Sequence, residues 1–182
     1  ENNKEIKGGG RNLKIKPALY MARVIHADLT VANASAWQWW LGISPYDYKD
    51  GLVYIDKDIH NGKIYESKML WALGHFSRYI RPGMQRIGVE RSDQKTIHES
   101  VDSTMISAYK LKGKKRYVVV IVNQREKIVT LAINGKNISN DAAIKLYQTT
   151  SKEEENMAYM GKKSPDRMIR IPARGLVTLV IE

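Results

Sequence analysis

Side chains suited to holding a sugar are concentrated in one short part of this sequence. Three of the four tryptophans, Trp37, Trp39 and Trp40, lie within four residues, and Tyr46 and Asp47 follow shortly after them. Aromatic rings stack on the apolar face of a sugar, while polar groups hydrogen-bond its hydroxyls. Clustered tryptophans are also common in hydrophobic cores. The cluster therefore predicts either a carbohydrate site or a core.

The backbone that carries the tryptophans is predicted to be a buried strand. Residues 34–44 form a short apolar run that ends at Pro45, and such runs are typical of strands buried on both faces. The period alone does not separate a strand from a helix over so short a run. The polar and aromatic residues 45–51 are predicted to form the loop that follows.

Two amphipathic helices are predicted on either side of this segment. The first runs from Pro17 to Leu29, because Pro17 suits a first turn and apolar residues recur at helical spacing. His26 is expected at the polar edge of this helix. The second helix begins near Ser67, a good N-cap residue, and ends at Pro82, which lacks a backbone donor. Its predicted apolar stripe comprises Leu70, Leu73, Ser77 and Ile80.

The segment between the strand and the second helix predicts a small hairpin. Leu52–Ile55 and Ile64–Tyr65 are its strands, and Asn61–Gly62 is a turn signal at its tip. Asp56 and Glu66 resemble part of a calcium-binding loop. However, the glycine and the glutamate each stand one position away from where an EF-hand needs them. No metal site is predicted.

After Gly83 the sequence changes to short β runs separated by turns, which predicts a domain boundary. Residues 1–82 would form one domain and residues 83–182 a second, β-sandwich domain. The acidic run Glu153–Glu155 is expected at a loop tip. The predicted strands are Met84–Glu90, Ile106–Leu111, Tyr117–Val122, Ile128–Ile133, Ala143–Tyr147, Met168–Ile171 and Leu176–Ile181.

Composition argues against several classes of protein. Of the 182 residues, 43% are hydrophobic and 27% are charged, which is ordinary for a globular protein. The absence of cysteine excludes disulfides and thiolate chemistry. No apolar run is long enough to span a membrane. The formal net charge of +11 is spread over short doublets, so we predict a solvated basic surface and no nucleic-acid partner.

Three motifs of the chain resemble glycoside hydrolase family 30. Ser35–Trp40 with Pro45–Gly51 resembles the last barrel strand of that family and its loop, and Tyr65–Gly83 resembles the last barrel helix and its exit. Ile171–Leu179 resembles the closing strand of the appended β-sandwich. The likeness covers nearly the whole chain and is closest to the endo-β-1,6-galactanase-like branch.

The resemblance implies an α/β plus all-β fold: the last strand and helices of a (β/α)8 TIM barrel, followed by an antiparallel β-sandwich. The parent enzyme would hydrolyse O-glycosidic bonds of a polysaccharide with retention, using two glutamates about 5 Å apart and no cofactor. By this likeness the chain starts after the strands that carry both glutamates. We therefore expect it to be inactive alone, with the remaining barrel portion and a polysaccharide or oligosaccharide as partners.

The resemblance also implies which residues line the substrate site. The second tryptophan of the Trp-Trp pair lines the subsite of the reacting sugar, which selects Trp40. Strand side chains alternate, so Gln38 faces the same way, whereas Trp37 and Trp39 pack against helices. Tyr48 either contacts substrate or only shapes the loop. The candidate substrate-binding residues are Trp40, Gln38, Tyr46, Asp47 and Trp37.

A second hypothesis is a non-catalytic carbohydrate-binding or scaffolding module built on residues 84–182. It requires exposed aromatic side chains on one face of the sandwich. The spacing of the candidates is more typical of core and edge positions. They are Tyr109, Tyr117, Tyr147 and Tyr159.

The amino terminus bears on processing and localisation. Residues 1–7 lack the apolar segment of a signal peptide, and the chain does not begin with methionine. We therefore expect a processed or excised piece of a longer protein. By resemblance, that protein would be secreted, periplasmic or on the surface of a bacterial cell.

Overall fold

The described part of the chain folds into two α-helices and eleven strands. A computed structural model describes residues 7–135, 138–139, 142–164 and 168–182. The helices are α1, Ile15–Thr30, and α2, Lys68–Ser77, and a short 3-10 helix spans His98–Ser100. The strands are β1 Ile43–Ser44, β2 Val53–Ile55, β3 Ile64–Glu66, β4 Met84–Ile87, β5 Thr104–Leu111, β6 Tyr117–Asn123, β7 Val129–Leu131, β8 Ile144–Thr149, β9 Ala158–Lys163, β10 Ile169–Ile171 and β11 Gly175–Ile181.

A six-stranded antiparallel sheet with the order β4-β5-β6-β11-β8-β9 forms the centre of the fold. Its two middle strands, β6 and β11, pair along their whole length, and every residue of both strands is buried. Both strands are rich in valine and isoleucine, whose branched side chains favour strands covered on both faces. The strands predicted here from β-branched runs are confirmed.

The two faces of the central sheet pack against different elements. Val118 and Val120 face α1 and α2 in one hydrophobic core, which also holds Met69 of α2. Ile121, on the opposite face, belongs to a second core with Ile171 of the two-stranded sheet β7–β10. The first core crosses the predicted boundary between residues 82 and 83. The helices therefore pack directly on the sheet rather than apart from it.

Helix α1 confirms the first predicted helix and extends it at both ends. The apolar residues whose helical spacing predicted this helix are Ala18, Ala22, Ile25 and Leu29, and the first three of them are buried. The prediction that His26 lies at a polar edge is wrong, because this side chain is only 1% exposed. The buried face of α1 is wider than an amphipathic stripe since the helix packs against both α2 and the central sheet.

Helix α2 begins after Ser67 as predicted, but its buried face is different. Met69, Ala72 and Phe76 are buried, whereas the predicted stripe that starts at Leu70 is only partly buried. Both sets recur with the helical period, so the period could not choose between them. Contact with α1 and the sheet decides which set faces inward.

A small sheet of β1, β2 and β3 precedes α2, and its β2–β3 hairpin confirms the predicted hairpin. β1 adds to it in parallel, with Ile43 opposite Val53. The prediction of a buried strand through the tryptophans is wrong: strand structure starts only at Ile43, and Trp40 is 80% exposed. A strand needs hydrogen-bonding neighbours, and residues 35–40 have no neighbouring strand in the described part of the chain.

One strand was not predicted, and one acidic residue is more buried than predicted. The missed strand, β9, pairs with β8 at the edge of the sheet, and its glycine and lysines are poor strand formers. Glu153–Glu155 lies in a turn before β9, but Glu155 is 7% exposed rather than at an open tip. Its carboxylate accepts hydrogen bonds from the Thr150 hydroxyl and from Gln148 Nε2, which offset the cost of burial.

Candidate carbohydrate-binding site

Large side chains are exposed around β1 and in the loop that follows it. We call Trp40, Ile43, Tyr46 and Tyr48 the aromatic surface; their exposed fractions are 80%, 61%, 52% and 57%. Burying apolar area stabilises a fold by about 25 cal/mol per Å². Large side chains that stay exposed together in one segment are therefore typical of a binding surface.

Trp37 and Trp39 fix the backbone that presents Trp40 to solvent. Their rings stack with centroids 5.8 Å apart, and both pack against the core shared by α1 and α2. Trp37 Nε1 donates a 2.7 Å hydrogen bond to Asp28 Oδ2, and Trp39 Nε1 donates one of 2.7 Å to the Asp50 carbonyl. The two anchored rings therefore point inward, as the alternation predicted, and Trp40 points outward.

Arg11 ties the loop after β1 to the hairpin. Its guanidinium donates to the carbonyl oxygens of Tyr46 at 3.2 Å and Ile55 at 3.0 Å, and to Asp56 Oδ1 at 3.3 Å. Its backbone N–H donates to Asp47 Oδ1 at 2.8 Å. A planar guanidinium with several fixed donors can bridge segments in this way, whereas an ammonium cannot.

Tyr54 supports the same loop from below. It is fully buried, and its hydroxyl donates to the Tyr48 carbonyl at 2.7 Å and accepts from the Gly51 N–H at 2.9 Å. Burial raises the pKa of the Tyr54 phenol, which keeps the hydroxyl available as a donor. A β-carbon at Gly51 would lie 2.7 Å from the Tyr54 ring, so glycine is required there.

The structure separates the predicted site residues into two groups. Trp40 and Gln38 are exposed together, and Tyr46 lies in the adjacent loop. Asp47 is exposed, but one of its oxygens is already bound by a backbone N–H, so it helps to shape the loop. Trp37 is half-buried against the core and does not join the aromatic surface.

Sequence reasoning missed both residues that organise the loop, Arg11 and Tyr54. Arg11 binds carbonyl groups 35 and 44 positions away, so no local spacing could reveal these contacts. Tyr54 looked like an ordinary residue of a hairpin strand. Only the folded chain brings its hydroxyl to the loop.

Among the described residues, every carboxyl group with a shifted pKa is shifted downward. For Asp93, the hydrogen bond from Arg91 lowers the pKa to about 2. A general acid needs a raised pKa. The other carboxyl groups with shifted pKa values are lowered as well: Asp56, Asp58, Glu99, Glu155 and Glu182.

Neither a metal site nor a membrane span is found within the described ranges. No group of three or more His, Cys, Asp or Glu side chains is placed to hold a metal ion there. Neither described helix is long and apolar enough to cross a bilayer.

Replacing Arg11 with alanine should loosen the loop and leave the central sheet folded. The loop loses its hydrogen bonds to the guanidinium, each worth about 1 kcal/mol net, so amides 46–48 should exchange with solvent about tenfold faster. Hydrogen exchange measures this directly. Arg11→Lys should behave similarly because lysine lacks the planar fork. Arg125→Ala, on an exposed turn of the sheet, is the matched control. Unchanged exchange in Arg11→Ala would refute this role.

Several known structures have a similar fold, and some of them are named as family 30 xylanases. A conserved exported protein from Bacteroides fragilis is 33% identical with a TM-score of 0.83, and the match covers 99% of this chain and 36% of that one. The catalytic domain of a family 30 xylanase from Talaromyces cellulolyticus is 25% identical with a TM-score of 0.70, over 91% of this chain and 35% of that one.

The third similar structure supports the fold alone. A family 30 subfamily 8 xylanase from Clostridium acetobutylicum is 21% identical with a TM-score of 0.68, and 96% of this chain covers 41% of that one. This chain thus spans well under half the length of these relatives.

A family model also matches the amino-terminal part of the chain. Residues 1–54 match the sequence model described as O-Glycosyl hydrolase family 30. Together with the family 30 xylanase from Talaromyces cellulolyticus, this match confirms the resemblance of the chain to glycoside hydrolase family 30. The galactanase branch stays a prediction.

Proposed function

We propose that this chain supplies one wall of the carbohydrate site of a family 30 glycoside hydrolase. The observation that carries the proposal is the exposed Trp40, which two core-anchored tryptophans present outward within the residues that match the family. An exposed indole can stack on the apolar face of a sugar. Gln38 on the same side and Tyr46 in the loop offer donors and acceptors for its hydroxyls.

The proposed whole enzyme has a (β/α)8 barrel, of which residues 1–82 form the last strand and helices, followed by a β-sandwich of residues 83–182. The exposed backbone of residues 35–40 would then pair with neighbouring barrel strands. The remaining barrel portion is thus the proposed protein partner. Export from a bacterial cell fits the similarity to an exported Bacteroides protein.

The proposed reaction is hydrolysis of O-glycosidic bonds with retention. That chemistry needs two carboxyl groups about 5 Å apart, one of them able to act as an acid. None of the carboxyl groups with a shifted pKa among the described residues has the raised value of such an acid. We therefore assign the catalytic glutamates to the remaining barrel portion and expect no hydrolysis by this chain alone.

The proposed substrate is a β-1,6-linked galactan, because the motifs are closest to that branch of the family. Two of the similar structures are named as xylanases, so xylan is the competing substrate. Both polymers offer an apolar sugar face to Trp40. The binding experiment below separates them.

Replacing Trp40 with alanine should abolish most oligosaccharide binding. Burying a large aromatic side chain against a ligand contributes about 1.5–3 kcal/mol, so affinity should fall by about tenfold or more. Ligand-observed NMR with β-1,6-galactotetraose and with xylotetraose measures the change. A preference for the first sugar supports the galactanase branch, and a preference for xylotetraose would replace it with a xylan-binding assignment.

Tyr159→Ala is the matched control, because Tyr159 is also an exposed aromatic residue but lies on β9. It should leave binding unchanged. Oligosaccharide binding that is unchanged in Trp40→Ala would contradict the proposed role of this chain as a wall of the carbohydrate site. If only Tyr159→Ala loses oligosaccharide binding, the sugar site would lie on the six-stranded sheet instead.

The alternative module on residues 84–182 has weaker support. Tyr109 and Tyr117 are buried at 4% and 7% exposure. Tyr147 is half-buried, and its ring lies 5.4 Å from that of Tyr159 at a tilt of 40°. Tyr159 is the exposed member of the four candidates. One exposed ring makes a smaller platform than the aromatic surface, so the wall of a hydrolase site is the better-supported function.

A further inference from the structure

A cavity lies where strands β4 and β5 separate. β4 pairs with β5 only from Met84 opposite Leu111 to Ile87 opposite Ala108, so β4 leaves the edge of β5 from Thr104 to Ser107 uncovered. The chain that continues from β4 crosses this edge and encloses a cavity of about 170 Å³. One water molecule needs only about 10–15 Å³, so the cavity has room for a small molecule.

The polar lining of this cavity is basic. We call it the cationic pocket, and its polar lining includes Arg86, Arg91, Lys95, Thr30, Ser100 and Ser107. Apolar side chains of residues 87, 89, 97 and 106 complete its wall. No acidic side chain is among the residues that line it.

Arg91 is already neutralised, but Arg86 is not. Arg91 makes a two-pronged ion pair with Asp93, at 2.8 and 2.7 Å, and donates to the Thr104 carbonyl at 2.6 Å. Arg86 donates instead to the neutral Asn33 Oδ1 at 2.7 Å. The ion pairs found among the described residues include neither Arg86 nor Lys95. Positive charge therefore remains at the cavity.

A buried hydroxyl of the cationic pocket, that of Ser107, makes only a poorly formed contact with the neighbouring hydroxyl of Tyr109. Ser107 is 2% exposed, and its Oγ makes no hydrogen bond of normal geometry with the described residues. The same holds for the hydroxyl of Tyr109, two positions along the same face. Burial raises the pKa of Tyr109, and the neighbouring Ser107 hydroxyl partly offsets this. Buried hydroxyls are normally paired, so an acceptor from a ligand would complete this site.

We propose that the cationic pocket binds a small oxyanion, such as a carboxylate or phosphate group, through Arg86 and the Ser107 hydroxyl, with Lys95 as a further cation. The carbonyl end of α1, at Thr30, contributes only about half a negative charge. The charge of Arg86, which has no ion-pair partner among the described residues, outweighs it, whereas the charge of Lys95 also acts on the carboxyl groups of Asp93 and Glu99. Guanidinium and hydroxyl donors are the groups that oxyanions bind most strongly.

This site shares no lining residue with the aromatic surface. Thr30, in its lining, ends α1, whereas Arg11, which holds the loop of Tyr46, precedes the first residue of that helix. The proposed anion site therefore does not depend on the proposed sugar wall, and either can fail without the other.

Calorimetric titration of the chain with sodium phosphate and with sodium glucuronate tests the proposal, at an ionic strength held constant with sodium chloride. Saturable binding of at least one anion is expected. Arg86→Gln should weaken it about tenfold and Ser107→Ala several-fold, because each removes one donor to the oxyanion. Lys114→Gln makes the same charge change in the turn at the far end of β5 and should have no effect. Thermal melting confirms that each variant is folded.

The two anions distinguish the source of the ligand. Tighter binding of phosphate than of glucuronate would identify the ligand of the cationic pocket as a free inorganic anion. Tighter binding of glucuronate than of phosphate would identify the ligand as a sugar acid whose ring rests on the apolar wall. Absence of saturable binding, or equal affinity in Arg86→Gln, Ser107→Ala and the unchanged chain, would overturn the proposal.

Discussion

Replacing His75 with alanine should lower the free energy of unfolding by about 3–5 kcal/mol, because it creates a cavity and leaves buried hydroxyls unpaired. His75 is fully buried in α2, facing the central sheet. Its Nδ1 lies 2.7 Å from Thr178 Oγ1 and its Nε2 lies 2.8 Å from Thr149 Oγ1. The histidine is thus a polar link between the helix and two strands.

The hydrogen-bond partners determine the tautomer of His75. Thr178 Oγ1 donates to the His75 carbonyl, so it accepts from Nδ1–H. Thr149 Oγ1 accepts from the Met157 N–H and donates its own proton to Nε2. Each of these N–H and O–H groups then has one acceptor. The arrangement fits a neutral imidazole, whose Nε2 accepts a hydrogen bond, and does not fit an imidazolium, in which both ring nitrogens are donors.

Chemical denaturation of His75→Ala measures this loss, with exposed His60→Ala as the matched control. Adding Thr178→Val to His75→Ala should recover part of the stability, because one of the stranded hydroxyls is then absent. An unfolding free energy within about 1 kcal/mol of the unchanged chain would contradict a structural role for this link.

Lowering the pH from 7 to 5 should destabilise the fold by about 4 kcal/mol, through two buried histidines. Burial lowers the pKa of His75 to about 3, and burial followed by the charges of Arg86 and Arg91 lowers that of His26 to about 4. Unfolded histidine has a pKa of about 6.5, so at pH 5 each contributes about 2 kcal/mol. The unfolded chain binds these protons and the folded chain does not. Stability is therefore full above pH 6.5 and falls as the pH drops toward the folded values.

Urea denaturation between pH 5 and 7 tests this, in a range where carboxyl groups stay mostly ionised. The slope of the unfolding free energy against pH should approach the value for two protons taken up on unfolding. NMR of the histidine rings gives an independent test that needs no variant, because His26 and His75 should keep neutral-imidazole shifts at pH 5. A stability that is flat across this range, or imidazolium shifts at pH 5, would contradict the burial of neutral rings.

Local sequence patterns predicted most of the regular structure correctly. Tyr117–Asn123 and Gly175–Ile181 are continuous β-branched runs, and such runs have few alternatives to a doubly covered strand. Helix α1 and the β2–β3 hairpin also follow from spacing and turn residues. Strand β9 escaped prediction because its glycine and lysines reach strand geometry only by pairing with β8.

The candidate site was only partly predictable. The alternation of Trp37, Trp39 and Trp40 correctly separated core side chains from exposed ones, although the segment is not a strand. Trp37 and Trp39 face inward even without strand structure, because each ring is held by its own hydrogen bond. The loop geometry depends on Arg11, whose partners are far along the chain, so no short pattern contains it.

The sequence by itself indicated the resemblance to glycoside hydrolase family 30, the inward and outward alternation of the tryptophans and the strands of the central sheet other than β9, because these depend on residues close together in the chain. Only the tertiary structure decided that His26 and His75 are buried and neutral, that Arg11 organises the loop, and that a cationic pocket opens beside β5. Each of these depends on which elements pack together. Burial, desolvation and long-range hydrogen bonds exist only after the helices have docked on the sheet.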